Sequence, residues 1–90
     1  MRESEVHKYL VKRIESLGGE VRRVEWIGRK NAPDILILLP LRHAFCEEKR
    51  PGKEPTSGQY REHERLRAAG IEVLVIDSCE LVDHYFPQLN

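Results

Sequence analysis

Pro33-Asp34-Ile35-Leu36-Ile37-Leu38-Leu39-Pro40-Leu41-Arg42-His43-Ala44-Phe45-Cys46-Glu47-Glu48-Lys49 decides the fold of this 90-residue chain. Residues 35–39 hold no polar side chain, the pattern of a strand covered on both faces. Pro40 ends that strand, because proline cannot donate into a ladder. Residues 43–49 make a second extended segment, and the short connection predicts an antiparallel hairpin. Side chains alternate along a strand, so Phe45, Glu47 and Lys49 share one face. A hairpin turning near residues 40–42 sets position 34 opposite roughly 48. Asp34 then meets the Glu47/Lys49 pair at the open end, away from the turn.

Two carboxylates converging at a strand end repel, so one pKa rises or a cation joins them. A hard divalent ion resolves the conflict, since Mg²⁺ takes one or two carboxylates plus water and phosphate oxygens. A lysine beside such an ion can hold a water or offset charge developing on a phosphate. A Pro-Asp pair at a strand entry and a Glu-x-Lys triplet each occur without any catalytic role. Their conjunction at hairpin spacing, between apolar strands, points to a site.

Asp34 and Glu47-Glu48-Lys49 together resemble the signature of the PD-(D/E)xK nuclease superfamily. Within it the chain is similar to the VRR-NUC family. The likeness runs through Ala32-Pro33-Asp34, Phe45 to Gly52, Pro55 to Gln59 and Glu62 to Gly70, and covers nearly the whole chain. It implies a metal-dependent nuclease in which Asp34, Glu47 and the backbone carbonyl of Glu48 hold Mg²⁺ or Mn²⁺ and Lys49 serves the attacking water. Gln59 matches the family glutamine beside the site. A glutamate on the first helix often completes the metal site; Glu3 lies nearer the apolar stripe and is favoured, with Glu5 the alternative. Both can instead merely complement the helix dipole. Position 48 is usually apolar in this family and is glutamate here, a departure that bears on packing more than on chemistry.

Ninety residues make one domain, residues 1–90, and a chain so small gains from a dimer interface. No stretch is long enough to span a membrane and no signal-peptide pattern appears, so the expected location is cytoplasmic, in a bacterium or a phage-infected host. Cys46 and Cys79 lack C-x-x-C spacing, and neither a disulfide nor a zinc site is expected. Net charge is zero, but its distribution is uneven: residues 20–53 carry eight basic and five acidic side chains, whereas residues 54–90 carry three and seven. Positive charge thus gathers around the proposed site, as phosphate contact requires.

The remaining elements follow from periodicity. Val6, Tyr9, Leu10, Ile14 and Leu17 predict a helix over about 4–17, capped by Ser4 and ended by Gly18-Gly19. Residues 20–27 predict an edge strand in which Trp26 is a core anchor or a base-stacking platform. Arg29 and Lys30, in the loop before Asp34, and Arg50 and Lys53, in the Pro/Gly loop after Lys49, are candidate DNA contacts. Thr56 or Ser57 caps a helix over about 57–69, which carries Gln59, His63 and Leu66 on one face. A last strand, 71–76, precedes a short helix, about 79–86, whose apolar side covers a sheet edge or a dimer contact.

The expected fold class is α/β: an αβββαβ core with a mixed central sheet flanked by helices, plus the short C-terminal helix. The resemblance implies an endonuclease cutting DNA. The small size and a two-fold dimer favour branched substrates, four-way (Holliday) junctions first. A flap or non-specific duplex endonuclease is the alternative, and a catalytically silent DNA-binding module is a third.

Overall fold

The computed structural model describes residues 3–88, and for Glu3 its backbone alone. The elements run α1 (Glu3–Ser16), β1 (Glu20–Arg23), β2 (Ile35–Leu39), β3 (Arg42–Glu48), α2 (Ser57–Ala68), β4 (Glu72–Ile76) and α3 (Cys79–Tyr85). The sheet order is β1-β2-β3-β4. The first two pairings are antiparallel and β3–β4 is parallel. A parallel neighbour cannot be reached by a tight turn, so α2 carries the chain across the sheet from β3 to β4. The sheet is therefore mixed and flanked by helices, as expected.

The hairpin pairs Leu39 with Arg42 and Ile35 with Cys46. This register fixes the faces. Ile35, Ile37, Ala44, Cys46, Leu74 and Ile76 point to one side, where they are buried with Val6, Leu10 and Ile14 of α1 and with Val82 and Phe86 of the C-terminal segment. The apolar side of α3 is thus spent inside the domain's own core. Two buried or half-buried arginines hold it there. Arg13 donates to the Phe86 carbonyl at 2.7 Å and to Asp83 at 2.8 Å. Arg42 donates to the Tyr85 carbonyl at 2.6 Å and grips Glu72 with two nitrogens.

Two local expectations shift. Helix α1 starts at Glu3, so Ser4 lies in its first turn and does not cap it. Strand β1 ends at Arg23, not near residue 27. Its partner runs out there, because Arg23 pairs with Ile35 and Pro33 offers no N–H. The chain then bends so that Trp26 packs against Phe45, ring centroids 5.1 Å apart and planes tilted by 53°, and donates its indole N–H to the Pro33 carbonyl at 2.7 Å. Thr56 caps α2, and it does so reciprocally with Gln59. At the α1–β1 turn, Gly19 packs so close to the Leu38 carbonyl and Leu39 that a side chain has no room.

Candidate active site

The open end of the hairpin gathers the acids. One step beyond the Ile35–Cys46 pair, Asp34 comes opposite Glu47, a residue nearer the turn than the hairpin estimate from sequence. Alternation sends Asp34, Glu47 and Lys49 to the face that α2 covers. Asp34 is exposed, with its Oδ2 3.8 Å from Nη1 of Arg23. Its carbonyl accepts the Val24 N–H at 2.9 Å, which ties the acid to the edge strand. Glu47 is largely buried and its Oε1 lies 3.5 Å from Nε2 of His63. The Lys49 N–H donates to the Ile76 carbonyl at 3.0 Å, extending the β3–β4 ladder by one residue. Buried Cys46 reports the crowding: burial pushes its thiol well above the usual range, and the charges of Glu48, Glu47 and Asp34 push it further.

Glu48 points to the other face, as alternation requires. There its carboxylate lies 2.7 Å from Nδ1 of His7 on α1. The acid at this normally apolar position is thus covered by a polar residue of the packing helix.

The other candidates divide. Gln59 sits at the third position of α2, where its Oε1 accepts the Thr56 N–H at 2.9 Å and its own N–H donates to Thr56 Oγ1 at 3.2 Å. Its carbonyl oxygen is used in capping, and its amide nitrogen has no such duty. Arg29 is bound by Glu62, an almost fully buried acid of α2 that also meets Arg65. The Arg29 hydrogen bond, more than any other contact, holds the Glu62 carboxyl below its usual range. Lys30, Arg50 and Lys53 are exposed and form no ion pair among the described residues. Arg50 and Lys53 line an open cleft of about 390 Å³ together with Glu47, Glu48, Lys49 and Glu54. Glu5 is exposed and acts electrostatically on Cys79 at the start of α3. The side chain of Glu3 lies outside the described residues.

No group of three or more His, Cys, Asp or Glu side chains among the described residues is arranged to hold a metal ion. What the hairpin does offer is a pair of hard oxygen donors, Asp34 and Glu47, with Lys49 beside them. That pair matches Mg²⁺ chemistry, which needs few protein ligands and leaves the other positions to water and phosphate.

His63 was visible in the sequence only as a neighbour of Gln59 on one helical face. Its side chain is completely buried, and its pKa is lowered by burial and then by the charges of Arg67 and Lys49. The spacing Gln59-x₃-His63 was the available signal, but only the crossing of α2 over β3 brings the ring to Glu47.

No protein-family model matches the chain. It is similar to "Putative nuclease p44" of Acyrthosiphon pisum secondary endosymbiont phage 1, 42% identical over 82 residues, which span 90% of this chain and 88% of that protein. A solved structure described as a VRR-NUC domain superposes with a TM-score of 0.86 at 40% identity, covering 98% of this chain and 97% of the other. With Asp34 facing Glu47-x-Lys49 across the β2–β3 hairpin, and with that likeness over nearly its full length, the chain belongs to the VRR-NUC family of the PD-(D/E)xK nuclease superfamily.

Proposed function

We propose that this chain is a divalent-metal-dependent DNA endonuclease that works as a homodimer on branched DNA, with four-way junctions preferred. The reading rests on one observation: Asp34 and Glu47 lie opposite each other at the open end of one hairpin, with Lys49 two residues further along. Asp34, Glu47 and the Glu48 carbonyl would hold Mg²⁺ or Mn²⁺, with Glu3 as the further acid in preference to Glu5. The bound ion supplies a Lewis acid for the scissile phosphate and lowers the pKa of water.

The chain's own residues do the rest. Lys49 orients the attacking water and offsets charge developing on the phosphate. The Gln59 amide nitrogen, with its oxygen held by the helix cap, donates to a phosphate oxygen. Lys30, Arg50 and Lys53 supply exposed positive charge along the DNA backbone, a contribution that weakens as salt rises. Arg29 contributes less, because Glu62 neutralises it. A two-fold dimer would present two such sites to a two-fold junction. The phage origin of one relative supports action in the cytoplasm of a host cell.

The test is cleavage of a labelled four-way junction beside a linear duplex and a 5′ flap, with Mg²⁺ and with Mn²⁺, for wild type and Lys49→Ala. Paired symmetric nicks on the junction alone, lost in the variant, are expected. Cutting of flap or duplex instead would remove the junction preference. No metal-dependent cutting of any substrate would overturn the enzymatic reading.

A further inference from the structure

We infer that His63 is a positioning residue for Glu47: reaching from the buried face of α2, its Nε2–H sets the rotation of that carboxylate toward the cation. The inference rests on the nuclease reading above and adds to it a residue outside the Asp/Glu-x-Lys set.

Packing alone does not account for an imidazole at this place. The ring is completely buried, and its Nδ1 has no hydrogen-bond partner. An unmatched buried polar atom is destabilising, a cost that leucine or phenylalanine would avoid while filling the same space. The polar contact the ring does make is with Glu47, at 3.5 Å from Nε2 to Oε1. A carboxylate accepts, so the attractive tautomer carries its proton on Nε2 and leaves Nδ1 bare. Nδ1 is then an unused acceptor instead of a stranded donor.

The neighbouring residues define the role. Glu62, one residue earlier, turns to Arg29 and Arg65 and ties down the loop that leads to Asp34. Gln59, one turn earlier, is held by the cap. His63 turns from this face to Glu47. The separation is long for a hydrogen bond, and contacts of this type tighten when a site closes on its ligands. Groups that hydrogen-bond a ligating carboxylate typically change metal affinity by about 10–100-fold when removed.

The experiment titrates Mn²⁺ by calorimetry into wild type, His63→Leu and His63→Gln, and follows junction cleavage in parallel. His63→Gln keeps an N–H near the Nε2 position; His63→Leu keeps volume alone. The expected result is Mn²⁺ binding about 10–100-fold weaker in His63→Leu, with most of the loss recovered in His63→Gln. If His63→Leu does not fold, His63→Phe makes the same comparison with a ring that has no nitrogen. Wild-type affinity in the apolar variant would overturn the inference, as would equal loss in His63→Gln. A wild-type protein that neither binds Mn²⁺ nor cuts DNA would instead defeat the nuclease reading beneath it.

Discussion

On one face of the sheet, Ile35, Ile37, Ala44, Cys46 and Ile76 disappear under α1 and α3. On the other face, where α2 packs against β4, Leu36, Leu38, Phe45 and Val75 stay half-buried. The same four strands thus carry a dense core on one side and a looser, polar layer on the other. Glu47 and Glu48 show the consequence at the scale of one residue. Each meets a histidine from the helix on its own face, Glu48 at 2.7 Å under α1 and Glu47 at 3.5 Å under α2. The first pair belongs to the packed side. The second sits where Asp34 and Lys49 also project, beside the open cleft lined by Arg50 and Lys53. A small domain can place charge at one end of its sheet because the opposite face carries most of the apolar burial.

The largest expected effect tests that division of burial. Leu10→Ala, in the fully buried α1 layer, should lower stability by about 2–5 kcal/mol. Leu66→Ala, on the half-buried side of α2, should cost about half as much or less. Denaturant melts of the two variants decide it, and equal losses would show that both faces are packed alike.

The second comparison separates the adjacent acids. Glu47→Gln should reduce cleavage by about a hundredfold or more while the fold persists. Glu48→Gln keeps its backbone carbonyl and should retain activity within about tenfold. Single-turnover rates with circular dichroism as a control would measure both. A larger loss at position 48 would put the reacting centre on the α1 face.

The smallest effect concerns the loop anchored on α2. The Glu62 carboxyl is held low by Arg29, so its folded-state pKa lies below its unfolded one. The stability it contributes is present above the unfolded value and is lost as pH falls through the folded one. Arg29→Gln should therefore be less stable than wild type at neutral pH, modestly because the pair is partly exposed. The difference should shrink in acid. A difference independent of pH would mean that Arg29 acts through packing.

Much of this was legible in the chain. The apolar run at residues 35–39, closed by Pro40, named a buried strand, and alternation by itself placed Glu47 and Glu48 on opposite faces. The register was less secure, because a turn can be closed at more than one residue; Leu39 pairing with Arg42 makes the turn two residues and sets Asp34 opposite Glu47. The resemblance matched Gln59 to the site, and the structure adds a capping role for its oxygen, which one side chain can combine because it has both a donor and an acceptor. Nothing near Arg29 in sequence marks its pairing, because Glu62 lies 33 residues away.

The sequence by itself determined the element order, the meeting of Asp34 with Glu47-x-Lys49 at the open end of the hairpin, and the family, since these depend on local periodicity, turn chemistry and short spacings. Tertiary structure alone decided which partner each charge found: His7 for Glu48, His63 for Glu47, Glu62 for Arg29, and the chain's own core for α3. The physical reason is distance along the chain. Strand alternation and helix caps act over a few residues, whereas these pairings form only once α1, α2 and α3 have been laid on particular faces of the sheet.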